Sequence, residues 1–259
     1  LDITNKKKLN FFLNNNKFDI IMHFAAQAGV RYSIKNPKKY KKVNIDGFKN
    51  LLDGLIKNKP KKIIYASSSS VYGNTKIFPT KETSKLLGNN IYAQTKINNE
   101  VVALKYKKKY NFNICGLRFF TVYGEWGRPD MFLFKLLKSY KKNKVFLLNN
   151  HGNHSRDFTY IKDVTEILSR LIKKNKFNFD VVNICNSNPV NIMNICDSFS
   201  NKYNFYNIKP VKKHIADVLN TYGSNKKIKN IVSFKNFTSF EVGFKNTIKW
   251  YLKHSIYKF

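Results

Sequence analysis

The chain has 259 residues, of which 42% are hydrophobic and 15% aromatic, enough for a real core in one large domain or two small ones and incompatible with a wholly disordered chain. Its 48 Lys and Arg against 15 Asp and Glu give a formal charge of +33, a balance that ordinarily suggests nucleic acid or an anionic surface. Only five of those cations are arginine (Arg31, Arg118, Arg128, Arg156 and Arg170), whereas readers of nucleic acid favour the bidentate arginine fork; the lysine excess therefore reads as spread over tolerant surface positions, and no nucleic-acid partner is expected. Cys115, Cys185 and Cys196 sit scattered inside apolar runs, which fits a reducing cytoplasm and neither a disulfide framework nor a metal site. No apolar run approaches the roughly 18 residues that a membrane span needs, so no membrane partner is expected either.

Short β-branched and aromatic runs alternate with longer segments of helical period, the pattern of βαβ units around a parallel sheet. In chain order, a strand is expected over Phe18–Phe24 (FDIIMHF) and a helix from Pro37 through Tyr40, Val43, Phe48, Leu51, Leu52, Leu55 and Ile56, stopped by Pro60. A second strand follows over Lys62–Ala66 (KIIYA). Next comes a helix over Tyr92–Tyr110 with Ile97, Val101, Leu104 and Tyr106 as its apolar side, then strands over Asn113–Phe119 and Val181–Cys185. Beyond about Trp126 shorter helices are expected over Met131–Lys141, Ile161–Lys174, Asn191–Tyr203 and Phe240–Lys253, which reads as a smaller α+β lobe. The division is placed at 1–125 and 126–259, with some later segments returning to the first domain. Asn14–Asn16 and Lys107–Lys109 read as solvated faces.

The segment that carries chemistry is Tyr92-Ala-Gln-Thr-Lys96, because residues four apart on a helix share a face and bring phenol and ammonium to one point. Ser68 lies 24 residues upstream, in a serine run (Ser67–Ser70) that directly follows the strand KIIYA. Ligands bind at the carboxyl ends of strands in parallel sheets, so hydroxyls and the Tyr/Lys pair are expected at one crevice. A free phenol, with a pKa of about 10, is a poor base at neutral pH, and a nearby ammonium lowers that value. Such a trio suits hydride chemistry at a carbinol carbon.

These residues resemble the extended short-chain dehydrogenase/reductase family of nucleotide-sugar enzymes, and within it the UDP-glucuronate 4-epimerase group. The segments that carry the likeness are His23–Ser33, Tyr65–Gly73, Tyr92–Lys96, Leu117–Gly124, Trp126–Met131 and Arg156–Ile161, in family order along the chain. The resemblance implies a Rossmann-type parallel sheet, NAD as cofactor, a UDP-sugar substrate and a homodimer. It makes Tyr92 the base, Lys96 the group that lowers its pKa and binds the nicotinamide ribose, and Ser68 the holder of the sugar hydroxyl, with Ser69 and Ser70 beside the substrate. Ala25 and Ala26 would line the cofactor, Asn44 would sit behind it, and Asp2 and Ile3 match the acidic turn that holds adenine. Arg156 would face the diphosphate. Thr121 and Arg128 match positions near the sugar carboxylate, where arginine can form a bidentate pair.

The implied reaction is inversion at C4 through a transient 4-keto sugar, redox-neutral overall. Related dehydratases carry an Asp-Glu pair and related decarboxylases a Glu in the run before Val-Tyr-Gly; here that run is Ser68-Ser69-Ser70, which disfavours both chemistries. Two departures from the family stand out. None of the 11 glycines forms a GxGxxG turn, and Leu1-Asp2-Ile3 matches the end of the family's third strand, so the chain is expected to be N-terminally truncated and to lack its first βαβ unit. Ile215-Ala216-Asp217-Val218 also stands where relatives have Gly-Asp-Val. Three alternatives stay open on these residues: an inactive UDP-sugar-binding remnant, another epimerase or keto-sugar reductase of the same family, and a basic nucleic-acid-binding protein.

Overall fold

The computed structural model describes residues 1–213 and 217–254. Ile215 and Ala216, in the departure from Gly-Asp-Val, lie outside them. In chain order the helices are α1 (Lys6–Asn15), α2 (Val30–Lys35), α3 (Pro37–Tyr40), α4 (Gly47–Gly54), α5 (Ile91–Tyr110), α6 (Phe132–Lys141), α7 (Ile161–Ile172), α8 (Ile192–Tyr203), α9 (Lys226–Val232) and α10 (Phe240–Lys253). The strands are β1 (Ile20–His23), β2 (Lys62–Ser68), β3 (Ile114–Phe119), β4 (Thr121–Tyr123), β5 (Phe146–Asn149), β6 (Ser155–Tyr160), β7 (Val181–Ile184), β8 (Pro189–Asn191) and β9 (Ile208–Val211). They fall into two compact units, Leu1–Phe119 with Ser169–Ile184, and Phe120–Leu168 with Cys185–Phe259.

The first unit is built on a parallel sheet of order β1-β2-β3-β7. An inner parallel strand is covered on both faces and so reads as a continuous apolar run; β2 is buried along nearly its whole length. At its start Lys62 is buried, and its ammonium donates to the carbonyls of Ile172 and Lys174 (3.0 Å for the latter), satisfying acceptors that the end of α7 leaves open. Leu9 and Leu13 of α1 pack with Phe48, Leu51, Leu52 and Leu55 against Ile63, Tyr65 and Ile114.

Two helices differ from their sequence expectation. The Pro37 helix runs through a π-helical turn at Lys41–Asp46 and ends at Gly54, short of Pro60; glycine is the weakest helix former apart from proline. In α5 the buried positions are Ala93, Thr95, Lys96, Asn99 and Ala103, while Val101 is 48% exposed. The inward face is therefore largely polar, held by hydrogen bonds to the π turn: Asn99 Nδ2 donates to Asn44 O (2.7 Å) and Asn44 Nδ2 to Thr95 Oγ1 (3.0 Å). Helix α1, rich in Lys and Asn, has no counterpart in the sequence expectation, and neither has α9.

The second unit carries a three-stranded sheet, β4-β6-β8, in which β6 is parallel to β4 and antiparallel to β8, and a parallel pair, β5-β9. Its core joins Leu133, Phe134, Leu136 and Leu137 of α6 to Phe158, Tyr160, Phe199, Phe240 and Phe244. Asparagine fixes several helix ends across the chain. Asn5, Asn90 and Asn191 are N-caps that accept from backbone N–H groups, whereas Asn111 and Asn204 take the left-handed conformation after α5 and α8. Part of the asparagine excess thus has a local structural use. No helix among the described residues is long and apolar enough to cross a membrane.

Candidate active site

The carboxyl end of β2 organises the first unit's polar cluster. Ser68 is buried, and its Oγ lies 3.2 Å from both Ser70 N and Ser70 Oγ, capping the 3-10 turn Ser69–Tyr72. Ser69 and Ser70 are half-buried on that turn. Gly73 closes it at φ 60°, a conformation in which a β-carbon is strained. One helix over, Lys96 is only 4% exposed, and its ammonium donates to Ala66 O at 2.6 Å while lying 6.0 Å from the Tyr92 ring centroid. Tyr92 is half-buried, edge-on to Tyr40 at 6.2 Å.

Burial strips water from the Lys96 ammonium and pushes its pKa down to about 8, against the opposing pull of the Glu100 carboxylate. His23, at the end of β1 and stacked on Phe48, is pushed down to about 4 by burial and by the Lys96 charge, so it is neutral at physiological pH. Behind this pair lies a buried ion pair: Arg118 Nη2 donates to Glu100 Oε2 (2.7 Å), Nε donates to Oε1 (2.9 Å), and Ser67 Oγ donates to Oε1 (2.6 Å). Arg118 also donates to Tyr72 Oη (2.9 Å) and Glu82 O (3.0 Å), and Tyr72 donates to Asn183 Oδ1 (2.6 Å). None of Glu100, Arg118, Tyr72, His23 or Asn183 was a sequence-level candidate; the available signals were the four-residue step from Lys96 to Glu100 and one arginine inside an apolar strand.

The expected cofactor residues occupy the same unit. Ala25 is exposed and Ala26 half-buried in the loop after β1. Asn44 is buried on the π turn, where its Oδ1 accepts from Gln27 N (2.8 Å) and its Nδ2 donates to Gln27 O (3.0 Å), so it clamps the loop that follows the two alanines. Asp2 is exposed, and its Oδ1 accepts from Thr4 N at 2.8 Å, which lowers its pKa. Ile3 packs on Gly47, where an added β-carbon would come within 2.7 Å of its side chain.

The second unit holds Thr121, Arg128 and Arg156. Thr121 opens β4, paired with Phe158 of β6. Arg128 is exposed, and its Nε and Nη2 donate to the two carboxylate oxygens of Asp130 at 3.0 and 2.5 Å. Burial works to raise the Asp130 pKa, and the bonds from Arg128 outweigh it. The loop leaves β4 at Gly124 (φ 137°), where a β-carbon would lie 2.2 Å from Ile161 Cγ2, so only glycine fits the turn. Arg156 donates to the carbonyls of Ser155, Val218 and Leu219 at 2.7–2.9 Å; burial pushes its pKa down to about 10, opposed by Asp217, and it stays charged at neutral pH. Its neighbour Asp157 on β6 accepts from the backbone N–H groups of Asn186, Ser187 and Gly223, a buried tie from the strand to two loops that sequence reasoning did not single out.

Residues 1–185 match the family model described as the NAD dependent epimerase/dehydratase family. The chain belongs to this family. It is 38% identical over 260 residues to the protein CapI of Staphylococcus aureus, covering 91% of this chain and 76% of that one. It is 36% identical over 276 residues to UDP-glucuronate 4-epimerase 4 of Arabidopsis thaliana, covering 98% and 62%. Among solved structures, the UDP-glucuronic acid 4-epimerase from Bacillus cereus, in complex with UDP-glucuronic acid and NAD, superposes with a TM-score of 0.89 at 28% identity, covering 96% of this chain and 79% of that one. These family members account for the α/β fold with its parallel sheet, and the chemistry of the family is that of NAD-dependent enzymes acting on nucleotide sugars.

Proposed function

We propose that the protein catalyses C4 epimerisation of a UDP-hexuronate, interconverting UDP-glucuronate and UDP-galacturonate, with NAD as cofactor. The observation that carries this reading is the buried Lys96 ammonium beside the Tyr92 ring, at the end of a strand whose next residues are all serine. An ammonium favours the phenolate form of a neighbouring tyrosine, so Tyr92 takes the proton from the C4 hydroxyl and returns it. Ser68, exchanging its bond to Ser70, orients that hydroxyl. No carboxylic acid stands at 68–70 to drive elimination or decarboxylation, and the 4-keto sugar is left to turn over and be reduced on its other face.

The residues present fit the cofactor. Ala25 and Ala26 carry nothing beyond Cβ, Asn44 pins the loop that follows them, and Lys96 carries the charge to meet the nicotinamide ribose, with Asp2 and Ile3 on the adenine side. NAD, when bound, supplies the oxidation and re-reduction at the sugar carbon. In the second unit, Arg128 and Thr121 take the sugar carboxylate and Arg156 the diphosphate; an enzyme for neutral hexoses would have no use for the Arg128 fork. Incubating the protein with UDP-glucuronate and NAD, without reductant, is expected to yield UDP-galacturonate. Conversion of UDP-glucose but not UDP-glucuronate would overturn the assignment to Arg128, and absence of turnover on either sugar would overturn the function.

A further inference from the structure

The end of β2 presents three successive residues to helix α5 and its surroundings. The carbonyl of Ala66 receives the Lys96 ammonium, the hydroxyl of Ser67 donates to Glu100, and the hydroxyl of Ser68 caps the 3-10 turn. Lys96 and Glu100 lie four apart on α5 and so share a face. Glu100 is locked on both oxygens, with Arg118 bidentate from β3 and Ser67 from β2, and the side chains of Arg118 and Glu100 are 4% and 9% exposed. We propose that Glu100 is a positioning residue for the Tyr92–Lys96 pair: fixed by Arg118 and Ser67, its carboxylate keeps the buried Lys96 side chain charged and registered against the end of β2. The inference rests on the reading of Tyr92 and Lys96 as the catalytic pair.

A buried ammonium with one carbonyl partner is poorly compensated, and its charged form is disfavoured unless an opposite charge stands near. The charged and titratable groups around Lys96 are few. His23 on β1 is neutral, Tyr92 and Glu100 share α5, and Arg118 on β3 carries the charge that pairs with Glu100, its guanidinium also donating to Tyr72 Oη on the 3-10 turn and to the Glu82 carbonyl. Of these, Glu100 is the one that acts on Lys96, in the direction that keeps it protonated. Without it the ammonium loses its proton nearer neutral pH, and with it the power to stabilise a phenolate. Ser67, set between the Lys96 anchor and Ser68, ties the same carboxylate to the strand that carries the substrate-facing hydroxyl.

The test reads Lys96 directly, by its side-chain 13Cε and 15Nζ resonances against pH in the full chain, assigned by their loss in Lys96→Met. In the unsubstituted protein the midpoint is expected near 8, and in Glu100→Gln, which keeps shape but not charge, about one pH unit or more lower. Glu100→Asp restores most of the difference. If Glu100→Gln does not fold, the double variant Glu100→Gln/Arg118→Met removes both charges together, a replacement that buried pairs tolerate, and the midpoint is again expected to fall. An unmoved Lys96 midpoint in these variants overturns the inference. A fall in midpoint together with full turnover in Tyr92→Phe would leave the hold of Glu100 on Lys96 intact and overturn the catalytic reading instead.

Discussion

Arg118 and Arg128 each grip a carboxylate with two nitrogens, one inside the first unit and one on the surface of the second. The Arg118–Glu100 side chains are 4% and 9% exposed, with Ser67 donating to Glu100 and Arg118 donating to Tyr72; those of Arg128 and Asp130 are 46% and 56% exposed and two residues apart on a loop. Burial makes the first pair permanent, because removing either partner strands a charge in a medium that cannot solvate it. Exposure makes the second pair exchangeable, since water and an incoming anion compete for the same fork. One arginine therefore braces the proposed catalytic pair from inside the first unit, and the other holds an exposed fork that the proposed ligand carboxylate would share.

The largest effect is expected on chemistry at the buried end. Tyr92→Phe removes the proposed base, and turnover of UDP-glucuronate is expected to drop by about 10²- to 10⁴-fold with the fold unchanged by circular dichroism; turnover within a few-fold of the unsubstituted protein would remove Tyr92 from its role. Next comes stability. Arg118→Ala is expected to cost about 3–5 kcal/mol in urea unfolding, against about 0–1 kcal/mol for Arg128→Ala. Equal costs would erase the distinction between the two pairs.

Lys96 sharpens the same contrast from within the first unit. Its folded pKa of about 8 lies below the ordinary lysine value of 10.5, so between those values the unfolded chain binds more protons and stability rises with pH. At pH 7 both states are charged and the buried ammonium is a net cost, of order 3 kcal/mol, offset by about 1 kcal/mol for its bond to Ala66 O. Lys96→Met is therefore expected to gain about 2 kcal/mol at pH 7, a gain that shrinks as pH rises from 8 towards 10.5. A loss of stability at pH 7 would show that the ammonium is well compensated where it lies.

Much of this was legible in the sequence, and the failures have physical causes. The parallel strands were found because a strand buried on both faces is an unbroken apolar run, as in KIIYA, and β2 runs on through Ser67 and Ser68 because pairing with Arg118 and Phe119 continues there. The Tyr92-to-Lys96 spacing and the serine run were legible as local patterns. Glu100 and Arg118 were not, since they lie 18 residues apart on different elements and only the fold joins them. Periodicity misassigned the buried side of α5 because that helix turns Thr95, Lys96 and Asn99 inward, and apolar period marks a buried face only where the interior is apolar. Helix α1 escaped notice for a related reason: Phe11 and Phe12 are exposed while only Leu9 and Leu13 are buried, so its apolar residues do not form one stripe.

The last predictions probe binding at the exposed pair, and there the two residues of the pair should move in opposite directions. Arg128→Ala deletes a charge-assisted bidentate contact worth about 1.5–3 kcal/mol, so KM for UDP-glucuronate is expected to rise by roughly 10- to 150-fold while that for a neutral UDP-hexose hardly changes. Asp130 holds the same fork, and the proposed ligand carboxylate would have to displace it. Asp130→Asn removes that competitor's charge and leaves a weaker neutral acceptor. The exchange relieves a surface ion pair of at most about 1 kcal/mol, so KM for UDP-glucuronate is expected to fall by up to about five-fold, with kcat unchanged because neither residue touches the reacting carbon. A rise in KM on Asp130→Asn would mean that Asp130 aims the Arg128 fork and does not compete for it, and the exposed pair would then resemble the buried one in function despite its surroundings.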